Sequence, residues 1–103
     1  MSKLFEDEFK NVLIFNKVEY NGRCLKFKSP YSISLYVVDG VIFCDNKDFK
    51  FYTCCNSIEE MEELFQRSVM VDWFVYVDCE EEDLSKNAIE YRNFLINKLD
   101  RIN

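Results

Sequence analysis

The chain has 103 residues, 49% hydrophobic and 17% aromatic, with a net charge of −6 and an isoelectric point near 4.6. This length suits one compact domain over residues 1–103 and is too short for two; the aromatic content excludes a disordered chain. Histidine is absent, which removes the commonest general base and the commonest metal ligand together.

In chain order, "MSKLFEDEFK" combines three acids with no long apolar run, which predicts a short helix and lacks the basic-then-apolar pattern of a signal peptide. The next segments carry two hairpin signals. Asn21-Gly22 joins "NVLIFNKVEY" to "RCLKFK", and Asp39-Gly40 joins "YSISLYVV" to "VIFCD". Such pairs supply the positive φ angles of a two-residue type I′ turn. The first turn puts Tyr20, Val18, Leu25 and Phe27 on one face and Lys17, Glu19, Lys26 and Lys28 on the other; the second sets Val37 opposite Ile42 and Leu35 opposite Cys44. After "DNKD", the alternation of Phe49 and Phe51 against Lys50 and Tyr52 predicts a further strand.

The period then changes to 3.6. Ile58, Met61, Leu64 and Phe65 share a helical face behind a Ser57/Glu60 capping box. "VMVDWFVYV" returns to alternation, with Val69, Val71, Trp73, Val75 and Val77 against Met70, Asp72, Phe74 and Tyr76, and predicts a strand. Leu84, Ala88, Tyr91, Leu95, Leu99 and Ile102 complete a long amphipathic helix. The expected fold is α+β: an antiparallel sheet of about five or six strands, a hairpin meander followed by helix-strand-helix, with the helices on one face. "SVMVDWFVYV", the most apolar window, is broken by Asp72 and is shorter than the roughly 20 residues of a membrane helix. A cytoplasmic protein is expected. Richness in Asn, Lys, Ile, Phe and Tyr suggests an AT-rich bacterial or phage genome.

The five cysteines, Cys24, Cys44, Cys54, Cys55 and Cys79, follow no disulfide framework and form no C-x₂₋₄-C pair for zinc. They read as buried reduced thiols. Cys79 lies among carboxylates, which disfavour a reactive thiolate. With Gly22 and Gly40 as the only glycines, no phosphate-binding glycine loop can form. The loop "DNKDF" lacks the glycine and distal glutamate of a calcium site. No cofactor or metal is therefore expected. Lys17, Lys26 and Lys28 near Phe27 and Tyr31 resemble a strand-based single-strand binder only faintly, and the overall acidity argues against direct nucleic-acid binding.

Charge is concentrated. Residues 1–58 carry a net +1, residues 59–83 a net −9 with Arg67 the only base, and residues 84–103 a net +2. Acids are stabilising at helix N-termini, so Glu59, Glu60, Glu62 and Glu63, and Glu80, Glu81, Glu82 and Asp83, each read as a helix start. Eight carboxylates nevertheless exceed what two helix ends require. At about 1.5 Å of rise per residue, four acids in five residues approach the charge density of duplex DNA, about one per 1.7 Å. The expectation is a small non-enzymatic inhibitor or immunity-type protein, a DNA mimic that binds a nuclease, defence complex or other nucleic-acid-binding protein. Its binding set would be Glu59, Glu60, Glu62, Glu63, Asp72, Asp78, Glu80, Glu81, Glu82 and Asp83, with Phe74 and Tyr76 as aromatic anchors. Two alternatives remain: a homo-oligomeric or accessory structural subunit using an aromatic sheet face with Phe74 and Tyr76, and an enzyme using carboxylates and a divalent metal.

Overall fold

The computed structural model describes residues 12–102; the expected N-terminal helix lies outside them. The elements are β1 (Val12–Tyr20), β2 (Arg23–Val38), β3 (Val41–Asn46), β4 (Phe51–Cys55), α1 (Ile58–Tyr76), a 3₁₀ turn (Glu81–Asp83), α2 (Lys86–Lys98) and β5 (Leu99–Arg101). They form the expected α+β fold. The antiparallel five-stranded sheet has the order β1-β2-β3-β4, with β5 also on β2, and is not closed into a barrel. The contacts cluster into two units. Among the described residues one takes 12–15 with Tyr31–Phe65, the other Asn16–Pro30 with 66–102, so that β1, β2 and α1 each run through both.

In the first unit the Asp39-Gly40 turn has φ angles of 52° and 80°. These match the type I′ expectation. Leu35 pairs with Cys44 and Val37 with Ile42, as the turn length requires. The β3–β4 pairing runs from Ile42↔Cys55 to Asn46↔Phe51. Residues 47–50 form a turn and not the start of a strand: Asn46 Oδ1 accepts from the Phe49 N–H at 2.8 Å, and Lys50 has φ 53°. Phe49 is buried all the same, because the turn folds it inward. Phe65 is fully buried among the rings of Phe15 (4.7 Å), Phe51 (5.3 Å), Phe49 (5.5 Å) and Tyr31 (6.4 Å). Burying such a side chain contributes roughly 1.5–3 kcal/mol, and each well-placed ring pair about 0.5–1.5 kcal/mol more. Asn46 Nδ2 donates to the Tyr31 hydroxyl at 3.0 Å, and that hydroxyl donates to Asp48 Oδ2 at 3.0 Å. The turn and the aromatic cluster thus fix one another.

α1 begins as its capping residues dictate. Ser57 Oγ accepts from the Glu60 N–H at 3.1 Å, and Glu60 Oε1 accepts from the Asn56 N–H at 3.3 Å, one residue before the cap.

In the second unit Asn21 and Gly22 have φ angles of 56° and 79°. Val18, Leu25 and Phe27 are buried while Lys17, Glu19, Lys26 and Lys28 are exposed, as the hairpin alternation predicts. Two local expectations are corrected here. The segment read as a strand over 69–77 is, up to Tyr76, the second half of α1. Val69, Met70 and Trp73 are buried, whereas Val71 and Val75 are each 48% exposed, so the alternation of valines does not describe a buried face. Nothing between Arg67 and Val69 breaks a helix, and extending one already nucleated fixes only one residue per hydrogen bond gained. β-branched residues prefer strands only when packing rewards them there.

The final helix expected to reach Ile102 stops at Lys98. Leu99–Arg101 instead pairs with β2 as Leu25↔Arg101, Lys26↔Asp100 and Phe27↔Leu99. Asn97 and Asp100 are weak helix formers, and β2 offers unpaired backbone groups that a strand can satisfy. The core of this unit is Val18, Leu25, Phe27, Val69, Met70, Trp73, Tyr91, Leu95 and Leu99.

Candidate interaction surfaces

Glu59, Glu60, Glu62 and Glu63 occupy the first turns of α1, and all four are exposed. Their position at the positive end of the helix matches the dipole account.

The second cluster is placed differently. Glu80 precedes an exposed 3₁₀ turn, Glu81–Asp83, and the Asp83 N–H donates to Glu80 O and the Leu84 N–H to Glu81 O, both at 3.0 Å. α2 starts only afterwards. Its cap is Ser85, whose Oγ accepts from the Ala88 N–H at 3.2 Å, and its first turn contains no acid. Dipole stabilisation fades beyond the first turn. The helix-start explanation therefore covers Glu59 and Glu60, in the first turn of α1, but not Glu80–Asp83.

The remaining acids assigned to the surface are drawn inward. Asp72 is half-buried and accepts from the Tyr91 hydroxyl at 2.6 Å. Asp78 has a side chain only 17% exposed; it is hydrogen-bonded to Arg101 and lies 3.8 Å from Arg23. The two aromatic anchors also part company. Tyr76 is half-buried with its ring edge-on to Tyr91 at 5.0 Å, whereas Phe74 is 59% exposed. Phe74 belongs to a helical stripe with Val71 and Val75, and the Arg23 guanidinium lies 5.9 Å from its ring centre.

The lysine face offers little stacking surface. Phe27 is buried, Lys17 pairs with Glu19 at 3.3 Å, and Lys28 with Asp100 at 3.8 Å. Among the cysteines only Cys44 and Cys55 are buried; Cys24 and Cys79 are half-buried and Cys54 is exposed. All five are free, and the expectation of burial is corrected for the exposed Cys54 and the half-buried Cys24. Burial pushes the Cys44 thiol up to about 11, and it also raises Cys24 and Cys55. These three are protonated at neutral pH and are poor nucleophiles. Among the described residues no three Cys, Asp or Glu side chains come together as a cation site.

Sequence reasoning missed one constellation. Arg23 at the start of β2, Asp78 beyond α1 and Arg101 on β5 converge beside Trp73, with the Arg101 guanidinium 5.9 Å from the indole centre. Nothing in the sequence signals it, because the residues are brought together by the β2–β5 pairing. No family model, curated protein or solved structure matches the chain.

Proposed function

We propose that this protein is a small acidic, non-enzymatic inhibitor or immunity-type protein. It engages a nuclease, a defence complex or another nucleic-acid-binding protein through Glu59, Glu60, Glu62, Glu63 and Glu80–Asp83, and it acts in the cytoplasm of a bacterial cell or phage-infected host. The observation that supports this most directly is the placement of Glu80–Asp83. Four adjacent acids stand exposed at a 3₁₀ turn ahead of the Ser85 cap, where no helix dipole rewards them. Such carboxylates repel one another, and a basic partner relieves that repulsion while it accelerates encounter. Among the described residues, no helix is long and apolar enough to cross a membrane, consistent with a site of action in the aqueous phase.

The test replaces Glu59, Glu62, Glu63, Glu80, Glu81 and Glu82 with Gln. Glu60 is kept because its carboxylate helps to hold the start of α1. A partner captured by the wild-type protein is compared with the neutralised variant across a salt series. Association should be much slower for the variant and should lose its salt dependence, since exposed charges are screened over about 8 Å at physiological ionic strength. Equal association rates at low salt would refute the reading. Phe74→Ala serves as the dissociation control, since Phe74 is exposed whereas Tyr76 packs on Tyr91.

A second reading, a homo-oligomeric or accessory subunit, is supported by the exposed stripe of Val71, Phe74 and Val75. Light scattering distinguishes the two readings. A stable dimer of purified protein that Phe74→Glu dissociates favours the second.

A further inference from the structure

A cleft of about 520 Å³ opens within the second unit, lined by Arg23, Leu25, Met70, Trp73, Asp78 and Arg101 among others. Its size falls within the range of small-molecule sites. Its polar content is one-sided. Arg23 and Arg101 both face the single carboxylate of Asp78. Two guanidinium groups present ten N–H donors, whereas one carboxylate offers about four acceptor positions. The indole Nε1 of Trp73, a residue 6% exposed on the same cleft wall, is a further buried donor without a protein acceptor. The lining therefore carries a net charge of +1 in a protein of net −6, with donors in excess of acceptors. Leu25, Met70 and the Trp73 ring supply an apolar wall beside it.

We propose that this cleft binds a small organic anion, a carboxylate or phosphate head on a flat apolar body, with the head held by Arg23 and Arg101 and the body against Trp73. Arginine's planar fork suits both head groups, and a charged acceptor strengthens each hydrogen bond. Asp78 engages only part of the donor set of the two guanidinium groups and competes with a ligand for the rest. The cleft uses none of the glutamates on which the partner-binding reading rests, and its success or failure leaves that reading untouched.

Trp73 is the only tryptophan, so its indole N–H gives one resonance in a nitrogen-proton NMR spectrum and reports directly on the cleft. The full chain is titrated with phenyl phosphate, benzoate and, as a cationic control, benzylamine. A saturable shift with Kd below about 1 mM for either anion, and none for benzylamine, is expected; the tighter anion identifies the head group. Arg101→Gln and Arg23→Gln should each weaken binding about tenfold, while Arg101→Lys should retain part of it. Asp78→Asn raises the net charge of the cleft by one and should tighten binding several-fold even if it lowers the melting temperature. A purely structural clamp predicts the opposite, with lower stability and no gain in affinity. Absence of a saturable shift for both anions, equal shifts with benzylamine, or weaker binding by Asp78→Asn would each overturn the proposal.

Discussion

Replacing Tyr91 with Phe removes one oxygen from a hydrogen bond that decides what Asp72 is for. The Tyr91 hydroxyl donates to Asp72 Oδ2 at 2.6 Å, a length typical of a hydroxyl bound to an ionised carboxylate. The ring remains and keeps its contacts with Tyr76 at 5.0 Å and Phe94 at 6.0 Å, so packing is preserved. Hydrogen bonds to charged groups contribute about 1.5–3 kcal/mol, and the half-buried position of Asp72 places this one near the lower end, at about 1.5–2 kcal/mol. For a chain of this size the melting temperature should fall by roughly 6–15 °C. Urea denaturation of Tyr91→Phe, Asp72→Asn and the double variant gives the coupling energy, which should exceed about 0.5 kcal/mol. By contrast, Glu→Gln at Glu80, Glu81 or Glu82 should stay within about 0.5 kcal/mol of wild type. If Tyr91→Phe also stays within about 0.5 kcal/mol and the two single variants simply add, the bond contributes nothing and Asp72 returns to the set of surface acids.

Stability should decline in alkali, because the Cys44 thiol is raised to about 11 in the folded state. The folded protein retains the proton that the unfolded chain releases from about pH 9, so the stabilisation is intact below that pH and is lost as pH rises through about 11, amounting to at most about 3 kcal/mol. Tyr31, Tyr36, Cys24 and Cys55 are raised as well and act in the same direction. Urea midpoints measured across this range should fall less for Cys44→Ala than for wild type, and parallel curves would refute the assignment. Gly40→Ala should cost about 1 kcal/mol, and Gly40→Asn less, because φ is +80° and no atom lies within 4 Å of an added Cβ; the penalty is thus conformational and not steric. Equal midpoints for the Ala and Asn variants would contradict this.

Local chemistry alone determined the hairpins, the cap of α1 and the absence of histidine chemistry. A positive-φ Asn-Gly or Asp-Gly pair specifies a two-residue loop, and the loop specifies the register of Leu35 with Cys44 and Val37 with Ile42. Ser57 caps a helix through atoms three residues away. Both signals are short-range and are legible without knowledge of any distant partner.

Tertiary structure decided what those short-range signals left open. The sequence from Val69 to Val77 carries strand propensity in its valines and helical burial in Val69, Met70 and Trp73; only the core that receives Trp73 selects the helix. Leu99–Arg101 continues a helical period, yet the unpaired groups of β2 convert it to a strand. The same distinction sorted the acids. Ten carboxylates look alike between residues 59 and 83, but Asp72 and Asp78 meet Tyr91, Arg23 and Arg101, which are remote in sequence, while Glu80–Asp83 remain in solvent. A carboxylate's role depends on which donors the fold brings within about 3 Å, and for these two acids the fold draws those donors from distant parts of the chain.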